Sequence, residues 1–169
     1  MRFVSSKIVR VLMACTFGVL VSCYSFKAGQ IPKDVKTFSV AFFANRAALV
    51  NPLLSQQFTE KLKQKFLSES YLSLIKSQGD YSLEGFIVDY NVTPVAIQSS
   101  QQAATNRLTI TINVKFSNNK DSKLSYENNF SRFADFNANE NFASVEQTLT
   151  TTIVAQIVDD VFNRCTSNW

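Results

Sequence analysis

The stretch Arg107-Leu108-Thr109-Ile110-Thr111-Ile112-Asn113-Val114-Lys115-Phe116 alternates without a break. Leu108, Ile110, Ile112, Val114 and Phe116 share one parity. Arg107, Thr109, Thr111, Asn113 and Lys115 share the other. Successive strand side chains point to opposite faces, so a period of two predicts a strand with one buried and one wet side. A one-sided strand needs a second layer over its apolar face. Downstream, Asn118-Asn119-Lys120-Asp121 reads as a hairpin loop, and Leu124, Tyr126 and Phe130 continue at even spacing on a partner strand. Phe133 and Phe136 read as the opposite parity, which predicts a bulge or an exit near Arg132. Upstream, Tyr81 to Val92 is apolar on both sides: Tyr81, Leu83 and Ile87 on one, Phe86, Val88 and Tyr90 on the other. Pro94 ends that run, and the polar stretch from Ser99 to Thr105 reads as a loop.

Two segments have the helical period that supplies the covering layer. Asn51-Pro52 reads as a helix start, an N-cap residue followed by proline at the first helical position. Leu54, Phe58, Leu62 and Phe66 then recur every four residues, with Glu60, Lys61, Lys63, Gln64 and Lys65 on the other side. Near the C-terminus, Phe142, Val145, Leu149, Ile153, Ile157 and Val161 are spaced by three and four, and Val154, Val158 and Phe162 form an adjacent stripe. Thr150-Thr151-Thr152 is weak helix material, yet the periodicity should override it. Thr37 to Phe43 alternates, with Phe38, Val40 and Phe42 on one face. Tyr71 to Ile75 predicts a short strand, and Gly79-Asp80 a turn. The fold expected is α+β: a two-layer sandwich with two helices on one face of a four-stranded mixed, mostly antiparallel sheet.

Composition narrows the function. The 169 residues suit one domain. Without histidine there is no Ser/His/Asp or Cys/His triad and no imidazole metal ligand. Four scattered glycines make no phosphate-cradling loop. Asp159 and Asp160 are neighbours, but on a helix they point about 100° apart and cannot share a proton, so they read as a solvated face. Cys165 has no histidine beside it and reads as a small, partly buried apolar residue. The expectation is a non-enzymatic protein with no metal and no cofactor.

Residues 1–22 read as a removable export signal. Arg2, Lys7 and Arg10 precede an apolar run, Val11 to Val21, that is too short to span a membrane. The run ends in Leu20-Val21-Ser22-Cys23, which resembles the lipobox of bacterial lipoproteins. Leu12-Met13-Ala14-Cys15 is a rival match, but it would leave only a few apolar residues after Arg10. Cys23 is therefore the expected lipidation site, carrying a covalent diacylglycerol and an N-acyl lipid. Tyr24 follows it where an inner-membrane retention signal would place aspartate, so the expected address is the periplasmic side of an outer membrane. Residues 23–34 read as a lipidated segment and 35–169 as one domain. Removing Arg2, Lys7 and Arg10 also removes three of the four surplus positive charges, and with them the main support for nucleic-acid binding. Thirteen phenylalanines remain, some of which should lie outside the core and mark a contact surface.

The cations around the strands are the candidate ligand contacts. Arg107 and Lys115 share the wet face of the clearest strand, Lys120 and Lys123 flank the next hairpin, and Arg132 sits on the strand after it. Such groups can bind lipopolysaccharide or other phosphates by charge-assisted hydrogen bonds. The plainer reading is edge defence or a solvated sheet face.

Several segments taken together carry a family resemblance. They are Cys23-Tyr24-Ser25-Phe26, Gly79-Asp80-Tyr81-Ser82-Leu83-Glu84-Gly85, Val92-Thr93-Pro94, Asn106-Arg107-Leu108-Thr109-Ile110-Thr111-Ile112, Phe130-Ser131-Arg132-Phe133-Ala134-Asp135 and Ser167-Asn168-Trp169. In order and spacing the chain resembles the LptE family of lipopolysaccharide-assembly lipoproteins, in its Bacteroidota form. The resemblance implies two helices against a four-stranded sheet. It also implies a lipid-anchored subunit that plugs and assembles the LptD β-barrel and assists lipopolysaccharide insertion into the outer leaflet. The alternative class is a periplasm-facing lipoprotein that binds a small apolar ligand or lipid in a closed pocket, without a barrel partner.

Overall fold

In the computed structural model the alternating stretch lies inside the long strand β5, Thr105–Asn118. The structure describes residues 31–95 and 105–167. The signal segment 1–22, Cys23 and the expected loop residues 99–104 lie outside the described residues. In chain order the elements are β1 (Thr37–Val40), β2 (Ala44–Asn45), α1 (Leu54–Glu69), β3 (Ser73–Leu74), β4 (Tyr81–Val95), β5, a 3-10 turn (Ser122–Leu124), β6 (Tyr126–Asn137) and α2 (Phe142–Thr166). The sheet order is β3-β1-β4-β5-β6, and β2 also pairs with β4. β1 lies parallel to β3 and β4, and β2 parallel to β4. The β4/β5 and β5/β6 pairs are antiparallel.

This is the expected α+β sandwich with two extra strands: the sheet has six, not four. The surplus comes from the edge. Val40 ends β1, and the chain resumes pairing with β4 only at Ala44. The break corrects the expected alternation, because Phe42 becomes exposed while Phe43 enters the core and meets the ring of Phe58 edge-on at 4.9 Å. Ser73–Leu74 forms the short strand expected between Tyr71 and Ile75.

The ambiguity of Tyr81–Val92 is resolved by one residue. The β4/β5 register shifts between Ile87 and Asp89, leaving Val88 as the extra residue of a bulge. Inward positions are therefore odd before Val88 (Tyr81, Leu83, Ile87) and even after it, where Tyr90 is buried. Gly85 lies in this strand because a Cβ there would overlap the Asn113 carbonyl oxygen and crowd the Phe43 ring. β6, by contrast, pairs from Tyr126 to Asn137 without a shift. The bulge expected near Arg132 is absent: Phe136 shares the inner face with Tyr126 and Phe130, and only Phe133 points outward. Leu124 belongs to the 3-10 turn rather than to the strand.

The helices bury the faces their periodicity marked. Leu54, Phe58, Leu62 and Phe66 of α1 are buried, as are Ile153, Val154, Ile157, Val158, Val161 and Phe162 of α2. Leu108, Ile110, Ile112, Val114 and Phe116 form the sheet side of the same core. α1 starts at Leu54 rather than at Pro52. Asn51 instead accepts the Leu53 N–H at 3.0 Å and sends its amide to Glu146 of α2 at 2.8 Å. The threonine run does not break α2, since Thr151 and Thr152 turn their hydroxyls back to carbonyls four residues earlier. Asp159 and Asp160 are not a merely solvated pair. Their divergence ties α2 to α1 through Lys65 at 2.7 Å and to β6 through Arg132 at 2.6 Å.

Candidate functional site

The helices cover one side of the sheet, and the other side carries its polar residues. Three strands contribute rows that the register fixes. Arg107 stands opposite Asp135, Thr111 opposite Ser131, Asn113 opposite Asn129, and Lys115 opposite both Glu84 and Glu127. Cross-strand neighbours lie about 4.5–5.5 Å apart at Cβ, close enough to pair. They do so: Arg107 holds Asp135 through two bonds of 2.6 and 2.9 Å, and Lys115 holds Glu84 at 2.7 Å. Asn113 donates to Asn129 at 3.0 Å, and the Thr111 and Ser131 hydroxyls meet at 2.9 Å. Two guanidinium groups also lie over rings, Arg107 over Phe133 at 3.6 Å and Arg46 over Phe86 at 4.2 Å. The bond to Arg107 lowers the Asp135 carboxyl below its usual range, and each cation is raised by its acid. The open face is thus polar but internally neutralised, with Phe42 and Phe133 at least half exposed on the chain around it.

The five candidate cations do not form one cluster. Arg107 and Lys115 share the open face, as expected. Arg132 lies on the opposite side, because it pairs in register with the buried Ile110 and reaches Asp160 on α2 through bonds of 2.6 and 2.7 Å. Lys120 binds Asp80 at 3.1 Å at the far end of the sheet. Lys123 has no carboxylate within 4 Å among the described residues.

The acids that hold these cations were not legible in the sequence, although cross-strand charge complementarity would have found Glu84 and Asp135 once the register was known. Asp80 carries a larger role than a turn residue. One of its oxygens accepts from the Lys36 and Thr37 amides and the Thr37 hydroxyl at 2.9–3.0 Å, clamping the entering chain to the start of β4. Those amide bonds, led by Lys36 and helped by Lys120, hold its carboxyl far below the usual range. At the opposite end, Glu146 accepts from Tyr90 at 2.7 Å and from Asn51, joining β4, α2 and the loop before α1. Among the described residues no group of three or more potential ligands could hold a metal ion, and no helix is long and apolar enough to cross a membrane.

A two-helix layer on one side of a mixed sheet, with a polar open face on the other, defines an open-faced two-layer α+β domain. The profile of the LptE lipopolysaccharide-assembly family matches residues 35–165, and the chain belongs to that family. Solved structures of similar fold include a minor lipoprotein from Acinetobacter baumannii, with a TM-score of 0.54 at 10% identity over 79% of this chain and 94% of that one. Rare lipoprotein B from Shewanella oneidensis gives 0.51 at 7% identity over 75% and 91%. An uncharacterized lipoprotein B from Nitrosomonas europaea gives 0.50 at 11% identity over 82% and 86%. At such identities the likeness speaks for the fold alone. Comparison with curated proteins returns no match.

Proposed function

We propose that the chain is a non-enzymatic outer-membrane lipoprotein, anchored through acyl chains on Cys23, that plugs and assembles an LptD-like β-barrel and assists lipopolysaccharide insertion. The match of residues 35–165 to the lipopolysaccharide-assembly family carries this reading. The open sheet face supports the plug. Lumens of large membrane barrels are polar, so an inserted partner must present hydrogen-bonding groups without bringing unpaired charge out of water. Arg107–Asp135 and Lys115–Glu84 are neutralised before any contact forms, and the Thr, Ser and Asn rows between them offer uncharged donors and acceptors. Two or more acyl chains, each CH2 contributing about 0.8 kcal/mol, would hold such a subunit at the membrane.

The test is affinity purification of the tagged full-length chain from detergent-solubilised outer membrane. A barrel-sized protein should co-purify, and Cys23→Ser should abolish incorporation of a palmitate analogue. Recovery of the monomer alone, where other barrel complexes survive, contradicts the plug. Lipopolysaccharide crosslinking that is unchanged by charge reversal at Arg107, Lys115 and Arg132 would exclude those cations as its contacts.

A further inference from the structure

A pocket of about 110 Å³ opens at the end of the sandwich where β5 turns into β6 and α2 finishes. Its floor includes Tyr81 and Asn118, which are only 2% and 3% exposed. The Asn118 side-chain oxygen is occupied by the Lys120 and Asp121 amides at 2.9 and 3.0 Å, which leaves its NH2 as a donor without a partner among the described residues. The Tyr81 hydroxyl likewise has no partner among them. Among the described residues no polar side-chain atom sealed from solvent lacks a hydrogen bond, so these two donors reach solvent at the pocket they line. Lys123 and Arg164 form the rim, and neither has a carboxylate within 4 Å among the described residues. Arg164 lies over the Tyr126 ring at 5.5 Å.

The lining carries no Asp or Glu. Cys165 adds no charge, because burial pushes its thiol up to about 12 and the thiol pairs with the Tyr126 hydroxyl at 3.2 Å. The α2 terminus disfavours an anion through its carbonyls. Those of Phe162 and Asn163 are taken by the Thr166 hydroxyl and the Ser167 amide at 2.9 Å, and the remaining last-turn carbonyls are opposed by the two rim cations. A small space with two buried donors, two unpaired cations and no acid in its wall is complementary to an oxyanion.

We propose that this pocket binds a phosphate group through Tyr81, Asn118, Lys123 and Arg164. The group belongs either to free phosphate or to a lipid head. The pocket stands whether or not the chain meets a barrel, so failure of one does not entail failure of the other.

The test titrates the 15N-labelled full-length chain in non-ionic micelles with inorganic phosphate, at constant ionic strength against chloride. Saturable shifts at the Asn118 amide and the Arg164 guanidinium are expected. Affinity should fall about tenfold or more in Lys123→Gln and in Arg164→Gln, as for loss of a charge-assisted bond. Asn118→Asp keeps an acceptor for the two backbone amides but replaces the donor with negative charge. It should lose binding with its thermal midpoint little changed, while Lys61→Gln on α1 should bind as the parent does. A shift that never saturates, or an affinity equal in all variants, means an adventitious ion only and overturns the proposal. Where phosphate saturates, phosphatidylglycerol added to the micelles, with phosphatidylcholine for comparison, identifies its source. Saturable shifts at the same two groups with the anionic lipid, which phosphate competes away and the rim variants lose, support a lipid head. No such shifts with the anionic lipid support the free ion.

Discussion

β5 turns Leu108, Ile110, Ile112, Val114 and Phe116 toward the helices and Arg107, Thr109, Thr111, Asn113 and Lys115 toward the open side, and the two faces are held in different ways. The inner residues lose nearly all their contact with water, and each contributes in proportion to the apolar area it buries. Its partners are interchangeable in kind, since any well-shaped hydrocarbon serves. The outer residues stay partly wet and depend on particular partners, Asp135 for Arg107 and Glu84 for Lys115. The inner face therefore sets whether the sheet forms. The outer face sets what the formed sheet can touch.

Breaking the inner face should have the largest effect. Ile112→Ala removes a fully buried side chain between the strands and helices, and should cost about 2–5 kcal/mol in urea unfolding with an unchanged slope. A value below about 1 kcal/mol would mean that the core is looser than its packing implies. Next comes the junction at the far end of β4. Tyr90→Phe removes the hydroxyl that donates to Glu146, and should cost about 1 kcal/mol, within the usual range for one hydrogen bond. The Asn51–Glu146 contact should survive, so slowed exchange at the start of α2 should persist.

Acid sharpens the comparison, because the five inner residues of β5 carry no titratable group. The Asp80 and Asp135 carboxyls lie below their usual range in the folded chain, so the folded state binds fewer protons than the unfolded one. The stability they contribute is complete above the ordinary aspartate value, about 3.9, and is lost as pH falls from there through the lowered values. Asp80→Asn should flatten that acid loss while leaving the core variants' differences intact. An acid limb as steep as the parent's would mean that the clamp on Lys36 and Thr37 does not operate in solution. Smallest is Arg107→Gln, a solvent-exposed pair, whose effect on the unfolding midpoint should fall well below that of Tyr90→Phe.

The same contrast explains what the sequence could reveal. Alternation in 107–116 and four-residue spacing in 54–66 are local signals, so the inner face, both helices and the α+β layering were legible. Partners on the open face depend on register, and register was hidden by one residue. Val88 reverses the parity of β4, which made Tyr81–Val92 look apolar on both sides. The two-residue strand β2 is too short to show a period. The cations were visible, but their acids lie 28 to 40 residues away along the chain, as Arg132 with Asp160 and Lys120 with Asp80 illustrate. Asn118 and Tyr81 gave no signal at all, because an unused donor is a property of three-dimensional packing.

The central claim is that this chain works by contact, through its open sheet face, inside a barrel. Photo-crosslinking groups placed in the full-length lipoprotein at Thr109 and Asn113, and for comparison at Lys61 and Gln156 on the helices, test it most directly. The account predicts barrel-sized adducts from Thr109 and Asn113 in cells. Adducts from the helix positions alone, or none from the sheet positions while the protein is folded and membrane-bound, would contradict it.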